Sequence, residues 1–161
     1  SSPKQRRNMA DGLRFACNLA ASHGITVSTE NVLSIDETNE LFERVDADNL
    51  AVFFDMQNYL LNRGFDQVRH LDALYPRVAQ AHAKDGKGGV LSSAIVGTGE
   101  AKVPEQIALM VERGYAGWIS LENFYATGPL AHRHPEPFET MAEDAAALRS
   151  LVETAQARGD T

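Results

Sequence analysis

Four ionisable residues, Glu30, Asp55, His82 and Glu122, sit near the C-terminal ends of four separate apolar or β-branched stretches. Three carboxylates and one imidazole make a hard, oxygen-rich donor set. Such a set suits Mn2+, Mg2+ or Co2+, and it also accepts Zn2+. Three carboxylates a few ångströms apart repel one another, which pushes at least one pKa up strongly. A divalent ion removes that repulsion, so the residue types point to one shared cation rather than to four solvated strand ends. His82 interrupts "VAQAHAKD", a run otherwise rich in alanine. A neutral imidazole facing a cation accounts for a histidine in that place.

The stretches that carry these residues read as β-strands: "ITVSTEN" (25–31), "LAVFFDMQN" (50–58), "RVAQAHAKD" (77–85) and "GWISLEN" (117–123). Helical patterns separate them. The first covers 5–23, with Leu13, Phe15, Ala16, Leu19 and Ala20 as its apolar stripe and Gly24 as its stop. Ser34 opens a capping box with Glu37, and that helix runs to about Val45 with Leu41, Phe42 and Val45 inward. A loop containing Gly64 leads to a helix at about 66–75, which Pro76 ends. Pro104 starts another, with Val103, Ile107, Met110 and Val111 on one face up to Gly114, and a last helix covers about 137–157. The order is a helix followed by four strand–helix repeats. Strict alternation predicts right-handed βαβ units and a parallel α/β sheet. No boundary is visible, so residues 1–161 read as one domain.

Strand side chains alternate between faces. Glu30 shares a face with Thr26 and Ser28, Asp55 with Phe53, and His82 with Val78, Gln80 and Lys84; Glu122 shares one with Trp118 and Ser120. The other face carries alanines, Ile119 and Leu121, suited to packing helices. Helices on one side and ionisable groups at the strand C-termini on the other is the pattern of a (β/α)8 barrel, whose chemistry lies at the C-terminal rim.

The net charge of −7 disfavours nucleic acid as a partner. The single cysteine, Cys17, permits no internal disulfide and fits a reducing compartment. No stretch approaches the ~18 apolar residues of a membrane span. No signal-peptide pattern precedes Asp11, so a cytoplasmic protein is expected.

The segments "VSTEN", "FFDMQN", "AHAKD", "GTGE" and "GYAGWISLEN" resemble the xylose-isomerase-like superfamily of sugar-phosphate isomerases and epimerases, from about residue 10 onward. In that family the last four strands of a TIM barrel carry a Glu, an Asp, a His and a Glu that bind one divalent metal. Glu30, Asp55, His82 and Glu122 match them in order. The resemblance implies a half-barrel corresponding to strands five to eight, because a whole barrel takes roughly 250 residues. It implies a small polyol, sugar or sugar-phosphate substrate, proton abstraction α to a carbonyl, and an enediolate stabilised by the metal. Glu30 and Glu122 would be the acid/base pair. An open half of this kind is expected to pair with a copy of itself or with an N-terminal half.

Other residues are candidates of lower specificity. Lys84 shares the parity of His82 and either contacts a substrate oxygen or forms a structural ion pair. Asp85 has the opposite parity and is expected to support the following loop. Asn58, three residues after Asp55, stands where several epimerases of the family place a substrate-binding histidine. Asn31 and Asn123 read as strand-end turn residues. His132 and His134 read as a solvated or substrate-facing loop, with His134 the substrate-binding candidate, and His23 and His70 as structural. The glycine-rich loop 86–100 either cradles a phosphate with its backbone N–H groups or simply turns. Two alternatives to isomerisation stand: a metal-dependent dehydratase of a keto-inositol or dehydroshikimate-type substrate, and a catalytically incomplete half-barrel acting as a subunit. The related apurinic endonucleases use additional histidine ligands that this sequence lacks.

Overall fold

The computed structural model describes residues 2–159. Helix α1 (Pro3–Ala21) precedes four strands, β1 (Val27–Thr29), β2 (Leu50–Asp55), β3 (Val78–Ala83) and β4 (Trp118–Leu121). Helix α2 (Ile35–Val45) joins β1 to β2, and α3 (Asn58–Arg63) and α4 (Gln67–Leu74) lie between β2 and β3. Helix α5 (Val103–Glu112) precedes β4, and α6 (Pro137–Gly159) follows it. The strands lie in the order β1-β2-β3-β4, every neighbouring pair parallel, so the sheet is open rather than closed into a barrel. This is the expected α/β arrangement and is consistent with a half-barrel. Among the described residues no helix is long and apolar enough to cross a membrane.

Local sequence explains most of the boundaries. Ser34 and Glu37 form the reciprocal capping box that starts α2, and Asp46, at φ 50°, ends it in the left-handed region. Ser2 and Gln5 form a second capping box at α1, with Pro3 at its first position. The sheet is sandwiched on one face only. Val52, Phe54, Ala81, Ala83, Ile119 and Leu121 point into a core shared with Leu71 of α4, Ile107 and Met110 of α5, and Leu151 and Ala155 of α6. A second, smaller core joins Ala10 and Cys17 of α1 to Leu41 and Val45 of α2 and to Leu50. The alternate residues Gln80, Trp118 and Ser120 are exposed on the opposite face.

Two expectations need correction. The segment after β2 is helical, not a loop: Asp55 Oδ1 accepts from the backbone N–H groups of Gln57 and Asn58, which ends the strand and turns the chain into α3. The buried seam of α1 is Ala10 and Cys17, with Leu13 half-buried, whereas Phe15 and Leu19 are 71% and 65% exposed. The helix is therefore rotated relative to the stripe the sequence suggests.

Candidate metal centre

Parallel register brings the strand ends level. Asp55 is the Cα partner of His82, and His82 is that of Ser120, so Glu122 lies two residues further on, just past the end of β4. Glu30 lies just past β1. The result is a cluster of Glu30, Asp55, His82 and Glu122, each offering one ligand atom, all within 4.8 Å of one another. His82 Nδ1 lies 3.5 Å from Glu30 Oε1 and 3.4 Å from Glu122 Oε2.

Each member is held by a named neighbour. The His82 ring packs on Phe53 with centroids 4.0 Å apart. Asn58 Nδ2 donates to Glu30 Oε1 at 3.2 Å. Glu122 continues the ladder, its N–H donating to Ala83 O at 3.1 Å. Asp55 is fully buried, and its Oδ1 accepts from the N–H groups of Gln57 at 2.8 Å and Asn58 at 2.6 Å. Its Oδ2 is left to the cluster side, where the Lys84 ammonium lies 2.9 Å away. Burial pushes the Asp55 carboxyl up to about 6, against the opposing pull of Lys84 and the two N–H donors. Three carboxylates and an imidazole with ligand atoms within 4.8 Å of one another fit a divalent cation of the oxygen-preferring kind.

Lys84 is brought to the same place. Its ammonium lies 2.9 Å from Asp55 Oδ2 and donates to Glu122 Oε2, and the residue is only 2% exposed. Burial alone would lower its pKa, but Asp55 and Glu122 more than offset this and leave it raised. The ion pair, one of its two expected roles, is thus present, and one of the three ammonium N–H donors is left beyond these two carboxylates. His134 is not brought to the cluster; its ring nitrogens lie 3.0 Å from Glu143 and 3.8 Å from Glu139, both on α6.

The glycine-rich loop has a different occupant from a phosphate. Asp85, fully buried, accepts from the N–H groups of Gly86, Gly97, Gly99 and Ala101 at 2.9–3.1 Å. Those amides are unavailable to an anion, so the cradle holds the protein's own carboxylate. Asn31 accepts from Leu33 N–H, a local turn, while Asn123 does more, accepting from Asp85 N–H and donating to Ala94 O and Asp144. His70 is structural, with Nε2 3.1 Å from Leu33 O and its ring packed between Tyr59 and Phe65.

Two supporting residues escaped the sequence reading. Buried Asp144 of α6 accepts from Val96 N–H, Asn123 Nδ2 and Tyr125 Oη, all at 2.7 Å, and so ties the last helix to the segment after Glu122. Its signal was an acid inside the alanine run "MAEDAAALRS". Gln57 binds Val90 O and Ser92 N–H and holds the loop beside the cluster.

Comparison with known proteins adds an independent line. The family described as xylose isomerase-like TIM barrel matches residues 1–151. Similar solved structures include a xylose isomerase domain protein from Planctomyces limnophilus, 21% identical with a TM-score of 0.77 over 96% of this chain and 54% of that one. An L-ribulose 3-epimerase is 16% identical with a TM-score of 0.79 over 99% of this chain and 58% of that one. A probable 3-DHS dehydratase from Bacillus anthracis is 22% identical with a TM-score of 0.72 over 91% of this chain and 57% of that one. The chain thus spans little more than half the length of these structures, and at such identities the likeness is one of fold. No curated protein matches the sequence.

Proposed function

Because the chain belongs to the xylose isomerase-like TIM barrel family, we propose that it carries the metal-binding and acid/base half of a sugar isomerase or epimerase. One observation carries the reading: the ends of four successive parallel strands converge three carboxylates and one imidazole within 4.8 Å. Glu30, Asp55, His82 and Glu122 are the residues that would hold one divalent ion, Mn2+, Mg2+ or Co2+ in preference to Zn2+. Bound there, the ion supplies a Lewis acid that polarises a substrate carbonyl.

The chain's own residues then divide the work. Glu30 and Glu122 come from the two outer strands, on opposite sides of Asp55 and His82. One removes the proton α to the carbonyl, and return of a proton to the other face of that carbon, or to the neighbouring carbon, gives epimerisation or isomerisation. Asn58, bonded to Glu30, orients that carboxylate and faces the substrate side. Lys84 holds Asp55 and Glu122 in place.

The site faces the open side of the sheet, so its pocket needs further walls. A second copy of this chain or an N-terminal half of the barrel supplies them. The substrate is a small polyol or sugar, with neither nucleic acid nor membrane as partner. Elimination of a β-hydroxyl from a keto-inositol or dehydroshikimate-type compound begins with the same proton removal. Similarity to the probable 3-DHS dehydratase favours keeping it as the second reading.

Metal analysis and calorimetric titration with Mn2+ test the site, beside Glu122→Gln. About one ion per chain, with affinity at least ~10-fold lower in the variant, is expected from the loss of a charged ligand. Absence of binding to the wild-type chain would sink the proposal. Ketoses and keto-inositols incubated with the loaded protein in D2O then separate the chemistries. Deuterium at the α carbon with a new epimer or isomer supports the first reading, and loss of water supports the second.

A further inference from the structure

We propose that Lys84 sets the charge of the cluster, matching it to a divalent rather than a trivalent cation. The inference rests on the reading of the cluster as a cation site and assigns that site its selectivity.

Three carboxylates bring three negative charges, and His82 as a ligand is neutral. Lys84 is the one cationic side chain recorded in ion pairs with these carboxylates among the described residues, reaching both Asp55 and Glu122. The five residues together therefore carry two negative charges, which one divalent ion neutralises. The lysine cannot swing away to solvent without vacating a buried position, since its side chain is 3% exposed and Asp55, its partner, is fully buried. It lies two residues past His82, just beyond β3, and its buried ammonium contacts oxygens of two of the would-be ligands, Asp55 and Glu122, so it would lie close to any cation they held. Charges in such a setting are weakly screened. The repulsion that a fixed ammonium exerts on a bound cation grows in proportion to the cation's charge. Lys84 thus penalises a trivalent ion more than a divalent one of the same size. A lysine that only braced the loop would carry no such distinction.

Calorimetric titration of the full chain with Mn2+ and with Lu3+, ions of similar radius, reads this directly. The variants are Lys84→Met and the neutral, hydrogen-bonding Lys84→Gln, with Lys84→Arg as the charge-conserving control and circular dichroism to confirm the fold. Removing the ammonium should shift the ratio of the two affinities toward Lu3+ by about 10-fold or more, while Lys84→Arg keeps the wild-type ratio. Equal weakening of both ions in Lys84→Met and Lys84→Gln would overturn the charge-setting role and leave the metal site intact. A wild-type chain that binds neither ion would overturn the site itself, and this inference with it.

Discussion

His70 shows how a single ionisable side chain ties stability to pH in this fold. Burial between Tyr59 and Phe65 holds its imidazole below the ordinary 6.5, and the contact with Leu33 O only partly offsets this. The unfolded chain therefore takes up the proton at a higher pH than the folded one. The stabilisation is complete above about pH 6.5 and is lost as pH falls through the lower folded-state value. Thermal melts between pH 7 and 5 should show a steeper loss for the wild type than for His70→Gln, which keeps a donor for Leu33 O but does not titrate. Parallel slopes would show that His70 carries no proton linkage. At this same scale the candidate site was largely legible. Glu30, Asp55, His82 and Glu122 announce themselves by strand parity, a period-two property that needs no tertiary knowledge. The ion pair of Lys84 was one of two readings its parity allowed, but its partners, like the burial of Asp144, were not legible, because they lie far along the chain. Asp144 meets Val96 across 48 residues, and no local pattern encodes that contact.

At the scale of elements, the loop after β3 is held around one carboxylate. A Cβ on Gly99 would lie 2.1 Å from Asp85 Oδ1 and 2.6 Å from Gly86 O, so even alanine must displace the buried acid or the backbone. Gly99→Ala should cost about 1–3 kcal/mol by overpacking, read by urea denaturation. Gly12→Ala is the control: its position in α1 is open and helical, and the change should stabilise by roughly 0.5–1 kcal/mol. Equal effects at the two positions would contradict the packing of this loop. The sequence left this loop as either a phosphate cradle or a simple turn and, by parity, gave Asp85 the task of supporting it; the structure puts that carboxylate among the loop's own amides. Strands β1–β4 and helices α2, α4, α5 and α6 followed from periodicity and caps. Helix α3 did not, since its start depends on the Asp55 side chain capping its own downstream backbone. The rotation of α1 escaped for a related reason: Ala10 and Cys17, with Met9 and Leu13 packed beside them, form its seam, while Phe15 and Leu19 face outward.

For the whole molecule, the open sheet face is the feature with the widest consequence. Strands β1 and β4 each pair on one side only, leaving backbone donors and acceptors at two edges. Trp118, the only tryptophan, lies on the uncovered face of β4 and is 80% exposed. Phe15, Leu19 and Ile25 add exposed apolar surface beside β1. A second sheet laid along these edges would pair the unmatched backbone groups and place walls around the cluster of Glu30, Asp55, His82 and Glu122. Tryptophan emission reports on that step, because burial moves it to shorter wavelength. On concentrating the purified chain, emission should shift to the blue while the mass by light scattering rises from 17.6 kDa toward twice that value. Trp118→Glu should hold the chain at monomer mass and leave the far-ultraviolet circular dichroism unchanged. A wild-type mass that stays at the monomer value, with emission independent of concentration, would rule out pairing between copies. An added N-terminal half-barrel would then have to produce the same blue shift if the site is to be enclosed.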